Sequence, residues 1–171
     1  MLKAAIVMGS DSDLGVLSSA ANILGQFSVP FEIKILSAHR TTEAALLYAA
    51  SAEKRGFGVI IAGAGAAAHL PGVLAAATLL PVIGIPVNAT PLAGMDALLS
   101  IVQMPPGIPV ATVGINNAKN AGLLAVQILS LKERSLRARF KAYREKMKKE
   151  VLAKTARLDK IGYKKYLQEM K

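Results

Sequence analysis

Short apolar runs alternate along this chain with longer stretches in which apolar residues return every third or fourth position. Residues 4–8 form the first run, continuous in the manner of a parallel strand covered on both faces, and it ends at a glycine and a serine. Residues 13–27 then carry Leu14, Leu17, Ala21 and Leu24 on one helical face, with Asp11, Ser12 or Asp13 placed to cap its start. A second strand is predicted over 31–36. The helix after it spans 42–55, capped by Thr41 or Thr42, with Glu43 in the first turn where the helix dipole favours an acid. Residues 59–62 read as strand three, and Pro71 suits the first turn of a small-residue helix ending near residue 79. Strand four is expected at 82–85 with a helix over 95–102, and strand five at 110–113 with an alanine- and leucine-rich helix over 117–131.

Regular alternation of strand and helix predicts an α/β fold. Specifically, it predicts a flavodoxin-like three-layer sandwich whose five-stranded parallel sheet, in the order 2-1-3-4-5, is joined by right-handed crossovers. In such sheets ligands bind beyond the carboxyl ends of the strands, where the strand order reverses. The loops after strands one, two and three are therefore the ones that should carry chemistry. No internal repeat, low-complexity tract or linker divides the chain. Residues 1–131 are expected to form one catalytic domain. Residues 132–171 are expected to form a helical extension, with Leu136, Phe140, Tyr143, Met147, Val151 and Leu152 at helical spacing.

Composition sharpens this picture. Hydrophobic residues make up 53% of the chain and charged residues 19%, against about 45–50% and about 25% in ordinary globular proteins. No charged residue falls between Arg55 and Asp96, so two helices there would leave apolar surface on a monomer, and a homo-oligomer is expected. Pro71, Pro81, Pro86 and Pro91 cut this region into pieces shorter than the roughly 20 residues of a membrane span. The first residues run straight into a strand without the apolar core and cleavage site of an export signal, so a cytoplasmic location is expected. The absence of cysteine excludes disulfides and thiolate chemistry.

The net charge of +10 belongs to the extension alone. Up to Ser130 six basic residues balance six acidic ones, and the other fifteen basic and five acidic residues follow. A nucleic-acid footprint would mix such charge with stacking aromatics in a recognisable module. The preferred reading is a solvated helix docked on a neighbouring subunit, with an RNA-binding arm as its rival.

Loop one, Gly9-Ser10-Asp11-Ser12-Asp13, has the makings of an anion site. Gly9 lets backbone approach, amides and the helix dipole present positive potential, and the serine hydroxyls can donate to phosphate oxygens. Asp13 cannot serve a phosphate, but it could accept hydrogen bonds from ribose hydroxyls. Helix capping alone is the competing role. In loop two, Ser37-Ala38-His39-Arg40-Thr41, His39 lies between a strand end and a helix cap, a place suited to a proton carrier near neutrality. Arg40 could give a phosphate two parallel hydrogen bonds, or pair with Glu43 on the surface.

Loop three, Gly63-Ala64-Gly65-Ala66-Ala67-Ala68-His69, matches the loose pattern G-x-G-x-x-G/A, but it follows strand three and lacks an acid some 20 residues on. A flat ring lying against side-chain-poor backbone is a better use for it. His69 either completes that pocket or bonds to backbone at a helix start. With no Walker sequence, and two histidines without cysteine or clustered acids, neither a metal nor a cofactor is expected.

Taken together, four segments resemble one family. They are Ala5-Ile6-Val7-Met8-Gly9-Ser10-Asp11-Ser12-Asp13, the second loop, Ala62 through Gly72, and Ser100-Ile101-Val102-Gln103-Met104-Pro105. They are similar to class I PurE, the N5-carboxyaminoimidazole ribonucleotide mutases of de novo purine synthesis, over nearly the whole chain. The resemblance implies an octamer with active sites built from several subunits and the C-terminal helices reaching onto neighbours. It implies His39 and His69 as catalytic residues, His39 as general acid and base. It implies a ribonucleotide held by Gly9, Ser10, Ser12, Asp13, Ser37, Ala38, Arg40, Gly63, Ala64, Gly65, Ala66 and Leu70. Ala66, Thr42 and Pro106 depart from the family's usual residues; Ala66 would strain the backbone if its φ is positive.

The implied reaction is an intramolecular carboxyl transfer: the carbamate loses carbon dioxide, and ring carbon C4 recaptures it in an apolar pocket. Class II carboxylation of aminoimidazole ribonucleotide is the nearest alternative. A flavin-binding electron carrier is a further one, disfavoured because aromatic residues are 5% of the chain and none lies in the first three loops.

Overall fold

The computed structural model describes residues 1–170. Its sheet comprises β1 (Lys3–Met8), β2 (Phe31–Ile35), β3 (Phe57–Gly65), β4 (Val82–Val87) and β5 (Ala111–Thr112), all parallel and in the order β2-β1-β3-β4-β5. The helices are α1 (Leu14–Gln26), α2 (Thr42–Ala52), α3 (Leu70–Ala76), α4 (Met95–Val102), α5 (Ala118–Ser130), α6 (Arg134–Ile161) and α7 (Tyr163–Glu169). The predicted flavodoxin-like topology is the observed one.

Side-chain alternation along the strands splits the core into two layers. Ala4, Ile6 and Met8 of β1 join Val59, Ile61, Ile83 and Ile85 under α1 and α5, while Ala5 and Val7 join Ile60, Ala62 and Val82 under α2, α3 and α4. All of these are buried. The edge strand β2 is fixed from the α2 side: one Arg55 nitrogen donates to both Glu32 oxygens at 2.8 and 2.9 Å, and the Tyr48 hydroxyl donates to Glu32 at 3.1 Å. Hydrogen bonding from Arg55 holds the Glu32 carboxyl below its ordinary range.

Several element ends differ from expectation for local reasons. Strand β3 runs on through Gly65, because Gly63, Ala64 and Gly65 pair with Ile85, Pro86 and Val87 of β4; small residues that read as loop are strand here. Strand β5 keeps only two residues. Helix α3 stops at Ala76, leaving Leu79 almost fully exposed. In α1 the buried residues are Leu17, Ala20, Ile23 and Leu24, so Leu14 is displaced from the core stripe into solvent. Helix α6 docks on α1 and α5 through Leu136, Phe140 and Tyr143, with Phe140 and Tyr143 against the Phe27 ring at 6.0 and 5.3 Å. Met147, Val151 and Leu152 remain exposed.

Gly63 shows how tightly the site's scaffold is packed. A Cβ built there would lie 2.5 Å from Leu17 Cδ1 and 3.0 Å from Cδ2, in the buried contact of α1 with the sheet. Gly63→Ala is expected to cost about 1–3 kcal/mol, measured as a lower denaturant midpoint. An unchanged midpoint would show that α1 has room to move.

Candidate functional site

Loop one leaves β1 through Gly9, whose N–H donates to Gly63 O at 3.3 Å. Ser10, in extended backbone, then caps a single 3₁₀ turn, Asp11–Asp13, by accepting from Ser12 N–H at 3.4 Å. The Ser12 hydroxyl meets Ser10 Oγ at 2.9 Å, so the two serines form one hydroxyl cluster. The cap thus belongs to Ser10, and Asp13 makes no side-chain cap to α1.

Ser37 organises loop two. Its N–H donates to Thr41 Oγ1 at 2.8 Å, the Thr41 hydroxyl donates back to Ser37 O at 3.1 Å, and Ser37 Oγ accepts from the N–H groups of His39 and Arg40 at 3.4 and 3.1 Å. Thr41, expected as a possible side-chain cap of α2, is spent on this turn instead, and the Thr42 hydroxyl donates to Ala38 O at 2.7 Å. Arg40 turns away from Glu43: its Nη2 donates to Gly9 O at 3.2 Å, tying loop two to loop one.

Loop three turns at Ala66, whose φ of 53° lies in the left-handed region. That conformation costs a residue with a Cβ roughly 1–2 kcal/mol. His69 then stands at the head of α3, its N–H on Ala67 O at 2.8 Å. Its ring contacts the other histidine: His39 Nε2 and His69 Nδ1 are 2.8 Å apart, with the rings edge to face at 83°.

These loops surround a cavity of about 330 Å³ lined by Gly9, Ser10, Ser12, Asp13, Ser37, Ala38, His39, Arg40, Ala64, Gly65, Ala66, Ala67, His69, Leu70 and Ala89. Of the residues expected from the sequence only Gly63 is off the wall; it lies buried beneath, against Leu17. Ala67 and Ala89 were not anticipated. Ala89 comes from the loop after β4, and the sign of its approach is Gly65, where a Cβ would sit 2.6 Å from Ala89 Cβ. A second recess of about 350 Å³ shares Gly9, Ser10, Ser37 and Arg40. Among the described residues no three His, Cys, Asp or Glu side chains gather to hold a metal ion.

The cavity can hold an anion against the Ser10 and Ser12 hydroxyls and the Arg40 guanidinium, with two imidazoles in the same lining. Residues 3–150 match the AIR carboxylase family. The chain belongs to that family. Among its relatives are the N5-carboxyaminoimidazole ribonucleotide mutases of Thermotoga maritima, 57% identical over 99% of both chains, and of Pyrococcus abyssi, 58% identical over 98% of this chain and 97% of that one. The chloroplastic phosphoribosylaminoimidazole carboxylase of Vigna aconitifolia is 56% identical over 95% of this chain, which spans only 29% of that longer protein. The crystal structure of Treponema denticola PurE superposes with a TM-score of 0.83 at 29% identity, over 95% of this chain and all of that one.

Within this AIR carboxylase domain Asp13 is the buried charge, only 4% exposed. Burial pushes its carboxyl above the ordinary value of 3.8, and hydrogen bonds from the Ser10 N–H and the Ser12 hydroxyl pull it back in part. With its folded value raised, ionised Asp13 weakens the fold at neutral pH, and the penalty fades as pH falls through the folded value toward 3.8. Asp13→Asn is therefore expected to be more stable than the parent at pH 7, by an amount that shrinks on acidification. Thermal unfolding across pH measures this, and a less stable variant at pH 7 would contradict it.

Proposed function

We propose that the chain is an N5-carboxyaminoimidazole ribonucleotide mutase of purine biosynthesis, an isomerase that moves a carboxyl group from the exocyclic nitrogen to C4 of the same ring. The observation that carries this reading is the cavity whose lining brings the Ser10 and Ser12 hydroxyls and the Arg40 guanidinium together with His39. The phosphate lies against Ser10, Ser12 and Arg40, the ribose against Asp13, and the ring against the side-chain-poor wall of Ala64, Gly65, Ala66 and Ala67.

His39 gives a proton to the exocyclic nitrogen as its bond to the carboxyl carbon breaks and carbon dioxide is released. The aminoimidazole then behaves as an enamine. C4 attacks the confined carbon dioxide, and His39 takes the C4 proton, which restores both the aromatic ring and the imidazolium. One proton enters and one leaves, so no external acid, metal or nucleotide triphosphate is consumed. Confinement between alanines makes the recapture nearly unimolecular.

Direct carboxylation of aminoimidazole ribonucleotide is the second reading, favoured by the carboxylase name of the Vigna aconitifolia relative. Supplying the carbamate without bicarbonate separates the two, since a mutase turns over and a carboxylase does not. In the same assay His39→Asn is expected to abolish turnover while ribonucleotide affinity changes less than about threefold; near-normal turnover removes His39 from the chemistry.

The proposed assembly is a cytoplasmic homo-octamer in which α6 and α7 pack on neighbours as an extension of the catalytic domain. Its support is exposed apolar surface: Met95, Leu99 and Val102 form a half-exposed stripe along α4 with Leu92 exposed in the turn before it, and Phe31, Ile33 and Ile35 leave β2 partly uncovered. No helix among the described residues is long and apolar enough to cross a membrane. Replacing Met95 and Leu99 together by Glu is expected to yield smaller species in sedimentation; an unchanged mass would place the interface elsewhere.

A further inference from the structure

One wall of the cavity comes from outside loops one to three. Ala89 lies in a fourth loop, residues 88–94, between β4 and α4, and it meets β3 at Gly65, where a Cβ would sit 2.6 Å from Ala89 Cβ. That seam closes the side-chain-poor wall against which the ring and the released carbon dioxide are proposed to lie. A seam between a strand end and a loop stays shut only if the loop is held, and both neighbours of Ala89 are. On one side the Asn88 N–H donates to Asn116 Oδ1 at 2.9 Å. On the other the Thr90 hydroxyl donates to Asp96 Oδ2 at 2.8 Å and accepts from the Leu92 N–H at 3.2 Å.

We propose that Asp96 is a positioning residue for the carboxyl transfer: through the Thr90 hydroxyl it holds loop 88–94 against β3, so that carbon dioxide released in the cavity is recaptured by C4 before it escapes. Asp96 does not line the cavity, so it acts through the loop. It stands in the first turn of α4, where the helix dipole favours an acid. The dipole asks only for negative charge, however, and not for a hydroxyl partner six residues back. The turn that this bond closes is a demanding one. Ala93 and Gly94 are both left-handed, at φ 53° and 84°, a conformation that disfavours a Cβ. A Cβ on Gly94 would also meet Ile115 Cγ2 at 2.6 Å, so the loop is pressed onto the segment after β5. The Ala93 N–H closes on Thr90 O at 3.1 Å, which leaves Thr90 the residue on which the turn's bonds converge.

Two fates compete once the carbamate bond breaks. In the first, C4 attacks carbon dioxide and its proton returns to His39. In the second, carbon dioxide leaves through the seam. The exocyclic nitrogen then keeps the proton it received, His39 is reprotonated from water, and carbamate plus one proton has become aminoimidazole ribonucleotide plus carbon dioxide. Recapture is nearly unimolecular only while the cavity is closed. The contacts proposed for phosphate and ribose lie in loops one and two, on Ser10, Ser12, Asp13 and Arg40. Loosening loop 88–94 therefore alters the partition between the two fates and leaves ribonucleotide binding in place.

This inference rests on the mutase reading, and its test separates the two. With the carbamate as substrate and ¹³C-bicarbonate in the medium, the wild type should form product that carries little label. Thr90→Val, which keeps the shape and removes the hydroxyl, and Asp96→Ala should both release free aminoimidazole ribonucleotide above the enzyme-free rate. Both should raise the labelled fraction of the product roughly tenfold, the scale of one hydrogen bond to a charged group, with KM for the ribonucleotide changed less than about twofold. Asp96→Asn, whose side-chain carbonyl accepts the same hydroxyl without the charge, should restore the wild-type partition, which a helix-dipole role would not do. A wild-type partition in Thr90→Val overturns the proposal, as does a loss of kcat with no release of the aminoimidazole. Should either variant not fold, the other decides. A wild type that makes no product from the carbamate without bicarbonate sinks the mutase reading instead. The seal then shows as a KM for carbon dioxide raised in Thr90→Val while that for the ribonucleotide holds, and an unchanged KM for carbon dioxide overturns it.

Discussion

Gly9 is held from both sides, and the geometry of the cavity follows from that. Its N–H donates to Gly63 O at the end of β3, and its carbonyl accepts from Arg40 beyond the end of β2. Three loops that could each move independently are thereby referenced to one backbone segment. Loops are ordinarily the mobile part of a domain, whereas proton transfer needs its partners within hydrogen-bond reach of each other. Here the hydrogen-bond ladders of the sheet set the spacing between β2, β1 and β3, and the two Gly9 contacts carry it one residue further, into the loops. Ser37 extends the same logic by taking the N–H groups of His39 and Arg40 on one hydroxyl, so the imidazole and the cation are oriented together.

Legibility in the sequence tracked the range of the interaction concerned. The alternation of apolar runs with helical spacing predicted the strand order, because that pattern is local and repeated five times. The strand-end rule then led to three loops that share one cavity, and through them to His39, Arg40 and the two serines. Contacts set by register were not legible. Ala89 reaches the wall only because β3 continues through Gly65 beside Val87, a pairing that no property of Gly65 by itself announces. The contact of His39 with His69 spans thirty positions and depends on the turn at Ala66, so the sequence could offer two candidate histidines but not their apposition. The resemblance implies Gly63 as a pocket residue, yet its lack of a side chain makes room for Leu17.

The same cavity also weakens the fold locally, and the causes can be named. Asp13 is buried where its charge is poorly solvated, and Ala66 holds a conformation that glycine adopts more readily. Both features line the cavity, and each has a geometric reason to persist: a carboxylate can receive sugar hydroxyls, and the turn delivers His69 to His39. The two core layers around the strands supply the stability that these features withdraw.

The extension poses a separate physical problem. Helix α6 has 28 residues and so runs about 42 Å, yet its docking side chains, Leu136, Phe140 and Tyr143, all fall in the first third. Beyond them Met147, Val151, Leu152 and Leu158 are exposed, and α7 folds back through an Arg157–Glu169 ion pair and the Arg157 guanidinium over the Tyr166 ring at 5.6 Å. Exposed ion pairs contribute about 1 kcal/mol or less, too little to order a basic helical pair against its own charge repulsion. The distal half of the extension therefore carries apolar surface that the single chain leaves uncovered. In the proposed assembly a neighbouring subunit with uncharged patches such as the α4 stripe would supply apolar contact without adding to the positive charge, which would make the composition of residues 56–95 and that of the extension two halves of one arrangement.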